Sequence, residues 1–281
     1  MIDIKTPYEQ IVEKLSSCIP ETAIFDLPQR WEKIGDVLLL RLPGSLTAYK
    51  EGVAEVYADV LRCRSVLEEY GAISGIYRKP RVRYIFGDRH TETVHVENGI
   101  RFRLDPKDIM FSSGNVDERK RMATIAGKDE RVLDLFSGIG YFAIPMAKFS
   151  TPKKIVACEI NPVAYGYLNE NIVLNDVVEI IDPVFGDNRN TAPELWADRV
   201  LLGYLDNTIS FLPLALKALK KRGGILHFHA VYPHEQIPDV AFQEIKSIAT
   251  KYFKNIELVN WKSIKSYAPG IVHTVLDIRA G

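Results

Sequence analysis

The chain has 281 residues, long for one domain and comfortable for two. Its hydrophobic content of 47% and charged content of 26% are those of an ordinary globular protein. With 36 Lys+Arg against 36 Asp+Glu the formal net charge is zero, which argues against a uniformly basic nucleic-acid binder.

No apolar run is long enough to span a bilayer, and the opening Met1-Ile2-Asp3-Ile4-Lys5 lacks a signal-peptide pattern. Cys18, Cys63 and Cys158 are scattered without metal-ligand spacing and fit a reducing cytosol. A cytoplasmic protein without membrane contact is therefore expected. Nothing in the sequence sets an oligomeric state; a monomer is compatible with it.

Pro7 to Ser17 has helical apolar spacing at Ile11, Val12 and Leu15 and predicts a small leading helix. Trp31 to Leu42 reads as strand-rich, and Ser45 to Leu61 as amphipathic, with Ala54, Val56, Tyr57, Val60 and Leu61 as core candidates. Val82 to Phe86, Glu92 to Glu97 and Ile100 to Leu104 read as strands, the last two joined by the hairpin turn Asn98-Gly99. Residues 1–28 are expected as a leading helix and linker, 29–106 as a small α+β domain, and 107–281 as a separate catalytic domain.

In the small domain Arg78, Lys79, Arg81, Arg83 and Arg89 crowd one stretch interleaved with Tyr77, Tyr84 and Phe86. Cations beside aromatics suit RNA, through phosphate contacts and base stacking, though such a cluster is also compatible with a solvated face. Arg119, Lys120 and Arg121 form a second cluster. A third, Lys217, Lys220, Lys221 and Arg222, fits the end of a helix, where cations are favoured.

From Val132 onward strand and helix alternate in a doubly wound pattern. Val132-Leu133-Asp134-Leu135-Phe136-Ser137-Gly138-Ile139-Gly140 is a short strand, a glycine turn and the entry to a helix, which is a nucleotide-type binding loop. Gly138-x-Gly140-x-x-Ala143 also fits a dinucleotide fingerprint. Asp134 argues the other way: a carboxylate repels a pyrophosphate but suits the ammonium and sulfonium of S-adenosylmethionine. Lys154 to Glu159 is the second strand, and Asn161-Pro162 caps the helix to Asn175. Glu159 is placed for the ribose hydroxyls. The third strand, Glu179 to Phe185, delivers Gly186-Asp187-Asn188 towards the adenine edge. Asp134, Phe136, Gly138, Glu159, Asp187 and Asn188 are thus cofactor candidates.

Arg199 to Leu205 is the fourth strand, Thr208 to Lys221 its helix, and Gly223-Gly224 the stop before the fifth strand, Ile225 to Ala230. Asp239 to Tyr252 reads as a helix. Ile256 to Ile264 and Ile271 to Ile278 read as an antiparallel pair around Tyr267-Ala268-Pro269-Gly270. The expected fold is α/β, a class I S-adenosylmethionine-dependent, Rossmann-like doubly wound sheet with a C-terminal antiparallel hairpin.

From Trp31 to the C-terminus the chain resembles the wyosine-pathway branch of the tRNA methyltransferase family that modifies the purine 3′ of the anticodon. The matching segments are Ile109-Met110-Phe111-Ser112-Ser113-Gly114-Asn115, Glu118-Arg119-Lys120-Arg121-Met122, the loop from Asp134 to Gly140, Glu159-Ile160-Asn161-Pro162, Asp187-Asn188-Arg189 and Tyr267-Ala268-Pro269-Gly270. In the guanine N1-methyltransferases of that family the fourth strand ends in an Asn/Asp-Pro type motif; here it ends in Leu202-Gly203-Tyr204-Leu205. Gly203-Tyr204 with His227-Phe228-His229 resembles instead the aminocarboxypropyltransferases of wyosine synthesis.

The resemblance implies S-adenosylmethionine as a consumed co-substrate and tRNA(Phe) bearing 4-demethylwyosine as acceptor, modified at C7 with release of methylthioadenosine. It also implies that Ser112 and Arg119 join the cofactor site, Arg119 by a two-point fork to the cofactor's carboxylate. A surface helix charge is the other reading of Arg119. Tyr204 is a candidate for stacking on the modified base or a strand-end core aromatic. His227, His229 and the nearby His234 fit a polar pocket lining, with His227 a substrate-binding candidate; no metal is expected. No general base stands out. The alternatives are a guanine N1-methyltransferase of the same family and a non-catalytic tRNA-binding module.

Overall fold

Thr6-Pro7-Tyr8-Glu9 is a capping box, and both of its reciprocal hydrogen bonds form at the start of α1 (Pro7–Leu15). The computed structural model describes residues 5–205 and 207–281. Contacts divide the chain into a first unit of residues 1–97 and 101–113 and a second of 98–100 and 114–281.

In the first unit α1 is followed by α2 (Glu21–Ile24), β1 (Glu32–Ile34), β2 (Val37–Leu40), α3 (Lys50–Leu61), β3 (Ser65–Ser74), β4 (Lys79–Gly87), β5 (Thr93–Glu97) and β6 (Ile100–Leu104). β1 to β4 form one sheet in sequence order, parallel only between β2 and β3; β5 and β6 pair by themselves around Asn98-Gly99. Ile11, Leu15, Ile19 and Leu27 are buried in the same core as Leu38, Leu40, Val53 and Val66. The leading segment is thus part of the small domain's core rather than a separate linker. The sequence reading missed β3, whose Glu68-Glu69 is poor strand chemistry. Glu68 lies opposite Arg83 in the register, and Arg83 donates to both its carboxylate oxygens at 2.8 Å, so a cross-strand ion pair accommodates the charge.

The second unit runs α4 (Val116–Met122), β7 (Arg131–Asp134), α5 (Ala143–Phe149), β8 (Lys154–Glu159), α6 (Pro162–Leu174), β9 (Ile181–Phe185), α7 (Asn188–Thr191), β10 (Arg199–Leu205), α8 (Leu212–Ala218), β11 (Gly224–Pro233), α9 (Asp239–Ala249), β12 (Ile256–Ala268) and β13 (Ile271–Ala280). Its sheet has the order β12-β13-β11-β10-β7-β8-β9. The five central and far strands are parallel, and β13 is antiparallel to both its neighbours. The doubly wound sheet with its closing hairpin is as expected. The helix expected over Thr208 to Lys221 is instead a 3-10 turn and α8, which stops at Ala218. Leu219 turns extended and forms a bridge with Ala197, and Lys220 N–H donates to the Ala197 carbonyl, so sheet pairing ends the helix before Gly223.

Strand order reverses between β7 and β10. Ligands of open α/β sheets sit at such a switch, beyond the carboxyl ends of the strands. Asp134 ends β7 and Tyr204 lies near the end of β10.

Candidate functional site

The loop after β7 needs glycine. Gly138 and Gly140 have φ of 57° and 96°, and an added Cβ would lie 2.6 Å from the Tyr141 ring and 2.4 Å from Ile144. Beneath the loop, Asn171 of α6 donates to the Ile139 carbonyl at 3.2 Å. The turn is therefore fixed by its own chemistry and by the helix that follows the next strand.

Asp134 is 1% exposed. One carboxylate oxygen accepts from Phe136 N–H at 3.2 Å; the other is buried and meets no donor among the described residues. Burial pushes this carboxyl up to about 7, and the charge of Glu159 adds to the rise. An acceptor in that condition is suited to a cationic ligand, which would restore the ionised form.

Glu159 at the end of β8 accepts from Gly138 N–H and Asn161 N–H, each at 2.7 Å, and so ties the glycine loop to the start of α6. Burial raises its pKa while the backbone amides pull it back. A carboxylate has about four lone-pair sites, so both oxygens keep capacity for two ribose hydroxyls. Asn161 caps α6 by accepting from Val163 N–H at 3.0 Å.

Asp187, after β9, caps α7 and binds Arg189 through backbone and guanidinium; the Arg189 hydrogen bond holds its carboxyl below the usual range. Asn188 donates to the Leu135 carbonyl at 2.7 Å, and its buried carbonyl oxygen meets no donor among the described residues. Asp134 and Asn188 thus both present an unsatisfied buried oxygen at the strand tips, where such groups ordinarily find partners. These residues fit the cofactor that the sequence implies.

At the switch point Phe136 stacks on Tyr204, with centroids 5.0 Å apart and planes 17° apart, and Phe211 meets both rings edge-on. One face of Tyr204 is thus taken by the protein, and the residue is part of an aromatic wall. Gly203 lies beside the Phe142 ring, 3.5 Å from where its Cβ would be. No polar side chain ends this strand at Gly203.

His227 lies within β11, in the interior of the sheet. It is 2% exposed; Nε2 faces Arg199 and Nδ1 faces Asp277, each at 2.6 Å. Both nitrogens are occupied inside the sheet, which corrects the substrate-binding expectation for this residue. His229 is buried against Phe142 and His273, and burial holds its pKa well below the histidine norm. His234 lies in a 3-10 turn after β11. No metal-binding group of His, Cys, Asp and Glu exists among the described residues.

Arg119 is 3% exposed, which rules out a solvated surface charge. Ser112 belongs to the first unit and Arg119 to the second. Sequence reasoning missed Asp277 and Arg199 as partners of the histidine strand, and the part that Glu118 and Arg121 play beside them. The available signal was a lone acid in the apolar run Val275-Leu276-Asp277-Ile278 and the spacing of Glu118 and Arg121.

In the first unit the basic cluster is partly self-neutralised. Arg83 pairs with Glu68 and Lys79 with Asp108, while Arg81 and Arg89 lie over the rings of Tyr70 and Tyr84. Arg81 is exposed, and so are Tyr70 and Tyr77. In the third cluster Lys220 and Arg222 both bind Asp198, a structural use. No helix of the described residues is long and apolar enough to cross a membrane.

Residues 93–259 match the family model of the TRM5/TYW2 methyltransferase domain, and residues 11–91 that of the TYW2 N-terminal domain. The chain is 44% identical over 270 residues to the tRNA(Phe) (4-demethylwyosine(37)-C(7)) aminocarboxypropyltransferase of Pyrococcus horikoshii, covering 96% of each chain. It resembles the crystal structure of P. horikoshii TYW2 in complex with MeSAdo, with TM-score 0.86, 42% identity and coverage of 97% and 98% of the two chains. For the crystal structure of Methanocaldococcus jannaschii TYW2 in complex with AdoMet the TM-score is 0.71, with 36% identity and coverage of 89% and 98%. The arrangement of Asp134, Glu159 and Asp187 at the tips of successive parallel strands, and these likenesses across nearly the whole length, lead to one conclusion: the chain belongs to the TRM5/TYW2 family.

Proposed function

We infer that this chain transfers the 3-amino-3-carboxypropyl group of S-adenosylmethionine to C7 of 4-demethylwyosine, next to the anticodon of tRNA(Phe), and releases methylthioadenosine. The observation that carries this reading is the 44% identity over 96% of the chain to a relative of that activity. The match of residues 11–91 to the TYW2 N-terminal domain supports the same branch over a guanine N1-methyltransferase. The site agrees, since Gly203 and Tyr204 near the end of β10 offer no amide or carboxylate side chain to hold a ring N–H.

S-adenosylmethionine supplies a carbon already activated by its sulfonium leaving group. The protein's task is then orientation, because aiming a different S–C bond at the acceptor changes the product. In our assignment the free oxygen of Asp134 faces the cationic end of the cofactor, and Glu159 accepts the ribose hydroxyls. Asp187 and Asn188 flank the adenine edge, and Gly138 admits the backbone close to the ligand. Arg119 pairs with the carboxylate of the transferred group. Phe136 and Tyr204 offer an aromatic wall for the electron-rich base. No residue is assigned as general base.

For the tRNA we assign Arg78 and Arg81 with the exposed Tyr70 and Tyr77 as a contact for phosphate and base. We propose specificity for tRNA(Phe) and a cytoplasmic setting, the latter supported by three unpaired cysteines.

The test uses cofactor labelled in the carboxyl carbon or in the methyl, with tRNA(Phe) carrying either 4-demethylwyosine or guanine. Carboxyl label should enter the 4-demethylwyosine tRNA only. Methyl label in RNA, with turnover of the guanine substrate, would establish the methyltransferase alternative. Binding without transfer of either label would establish a non-catalytic module.

A further inference from the structure

A file of buried and half-buried side chains crosses the second unit. Arg199 donates to both oxygens of Glu130, at 2.8 and 3.1 Å, and to His227 Nε2 at 2.6 Å. His227 Nδ1 meets Asp277 Oδ1 at 2.6 Å. Asp277 in turn accepts two bonds from Arg121, at 2.6 and 3.2 Å. Arg121 also donates to both oxygens of Glu118, at 2.6 and 2.9 Å.

Chemistry settles the tautomer. Arginine only donates, so His227 Nε2 must accept and the ring proton sits on Nδ1, directed at Asp277. A protonated His227 would set N–H against N–H and add a like charge beside Arg199. The file therefore works with a neutral histidine that passes Arg199's donation on to Asp277 and keeps that carboxylate aligned with Arg121.

Its far end is α4. This helix has seven residues and no side-chain cap at its N-terminus, so its own hydrogen bonds do little to hold it. What its side chains reach decides its rotation. Glu118 and Arg121 lie one turn apart on the face locked to Asp277. Arg119 follows Glu118 and sits about 100° further round the helix, 3% exposed. Turning α4 would move its guanidinium.

We propose that Asp277 and His227 are positioning residues which, through Arg121, fix the rotation of α4 so that Arg119 meets the carboxylate of the cofactor's aminocarboxypropyl end. This rests on the assignment of Arg119 made above. It makes the buried file part of the choice of which group is transferred, since the anchored arm is the one that must be aimed.

Methylthioadenosine lacks that arm, so the two ligands separate positioning from mere stability. Calorimetry on the full chain would compare S-adenosylmethionine and methylthioadenosine for wild type, Asp277→Asn, Arg121→Lys, Arg119→Ala and the Arg119→Ala/Asp277→Asn pair. Asp277→Asn and Arg121→Lys should each weaken S-adenosylmethionine about tenfold, the scale of a misaligned charged hydrogen bond, and methylthioadenosine by no more than about twofold. Arg119→Ala should show the same selectivity, and the double variant should add nothing to it. Arg121→Lys keeps the positive charge and carries the test if Asp277→Asn does not fold.

Equal loss of both ligands, or no loss of either, in Asp277→Asn and Arg121→Lys would overturn the positioning role. If Arg119→Ala alone leaves the ratio of affinities unchanged, the assignment of Arg119 is the part that fails. A shifted ratio in Arg119→Ala with none in the other two overturns the file's role and leaves Arg119 standing.

Discussion

Asp134 and Asp277 are both buried carboxylates on strands of one sheet, 1% and 6% exposed, yet their surroundings are opposite. Asp134 ends β7 with one oxygen that meets no donor among the described residues, and burial pushes its carboxyl up to about 7. Asp277 sits within β13. Burial would raise it too, but His227 and Arg121 outweigh burial and hold it well below the usual carboxylate range. The satisfied acid binds the fold together, whereas the unsatisfied one costs stability and is the one we assign to the cofactor's cationic end. Burial alone therefore does not tell a structural acid from a ligand-binding one; the inventory of partners does.

The largest expected effect is on the satisfied acid. Asp277→Ala removes the shared acceptor of Arg121 and of the buried His227 and should cost about 3–5 kcal/mol of unfolding free energy in urea at pH 7. A loss below about 1 kcal/mol would remove the contrast. The signs of pH dependence should also differ. Asp277, with its folded pKa depressed, contributes stability that is present above about pH 4 and is lost as pH falls towards its folded value. Asp134, with its pKa raised from 3.8 to about 7, takes stability away as pH rises between those values.

That penalty is at most about 4 kcal/mol by the size of the shift, so Asp134→Asn should stabilise the ligand-free protein at pH 8 and flatten its profile between pH 4 and 7. The same variant should bind S-adenosylmethionine more weakly, and wild-type affinity should tighten as pH rises through about 7. An unchanged stability profile together with unchanged affinity would show that Asp134 is an ordinary core residue.

Smaller effects test the ring of acids around it. Glu159→Ala should weaken S-adenosylmethionine by about 1–3 kcal/mol in calorimetry, because it removes a hydrogen-bonded charge and loosens the glycine loop together. Asp187→Ala should fall at the low end of that range, since Arg189 already occupies much of its carboxylate. The smallest change is expected in the first unit. Arg81→Ala should lower the slope of log affinity for tRNA against log salt by about 0.9, one phosphate contact, whereas Arg83→Ala, paired with Glu68, should lower it less. Equal slopes for both variants and wild type would show that the strand is merely solvated.

Much of the sheet was legible because each parallel strand is a short apolar run ending in a charged or turn residue, as in Val132-Leu133-Asp134 and Ala157-Cys158-Glu159. The glycine turn and the Asn161-Pro162 cap were equally plain, since their backbone demands are local. β3 was hidden because the partner that accommodates Glu68, Arg83, lies on another strand. His227 misled for the same reason. Two histidines on one strand face read as a pocket lining, and only the register that sets Asp277 opposite His227, with Arg199 beyond, shows both nitrogens already used. Motifs fixed by the local backbone are written in sequence; polar pairings between distant segments are not.

The most direct measurement is the nucleoside left after a single turnover on tRNA(Phe) carrying 4-demethylwyosine, resolved by chromatography. Methylthioadenosine should form in step with modified tRNA, with S-adenosylhomocysteine at background. S-adenosylhomocysteine as the main by-product would contradict the transfer of the aminocarboxypropyl group, whatever the residues around Asp134 contribute to binding.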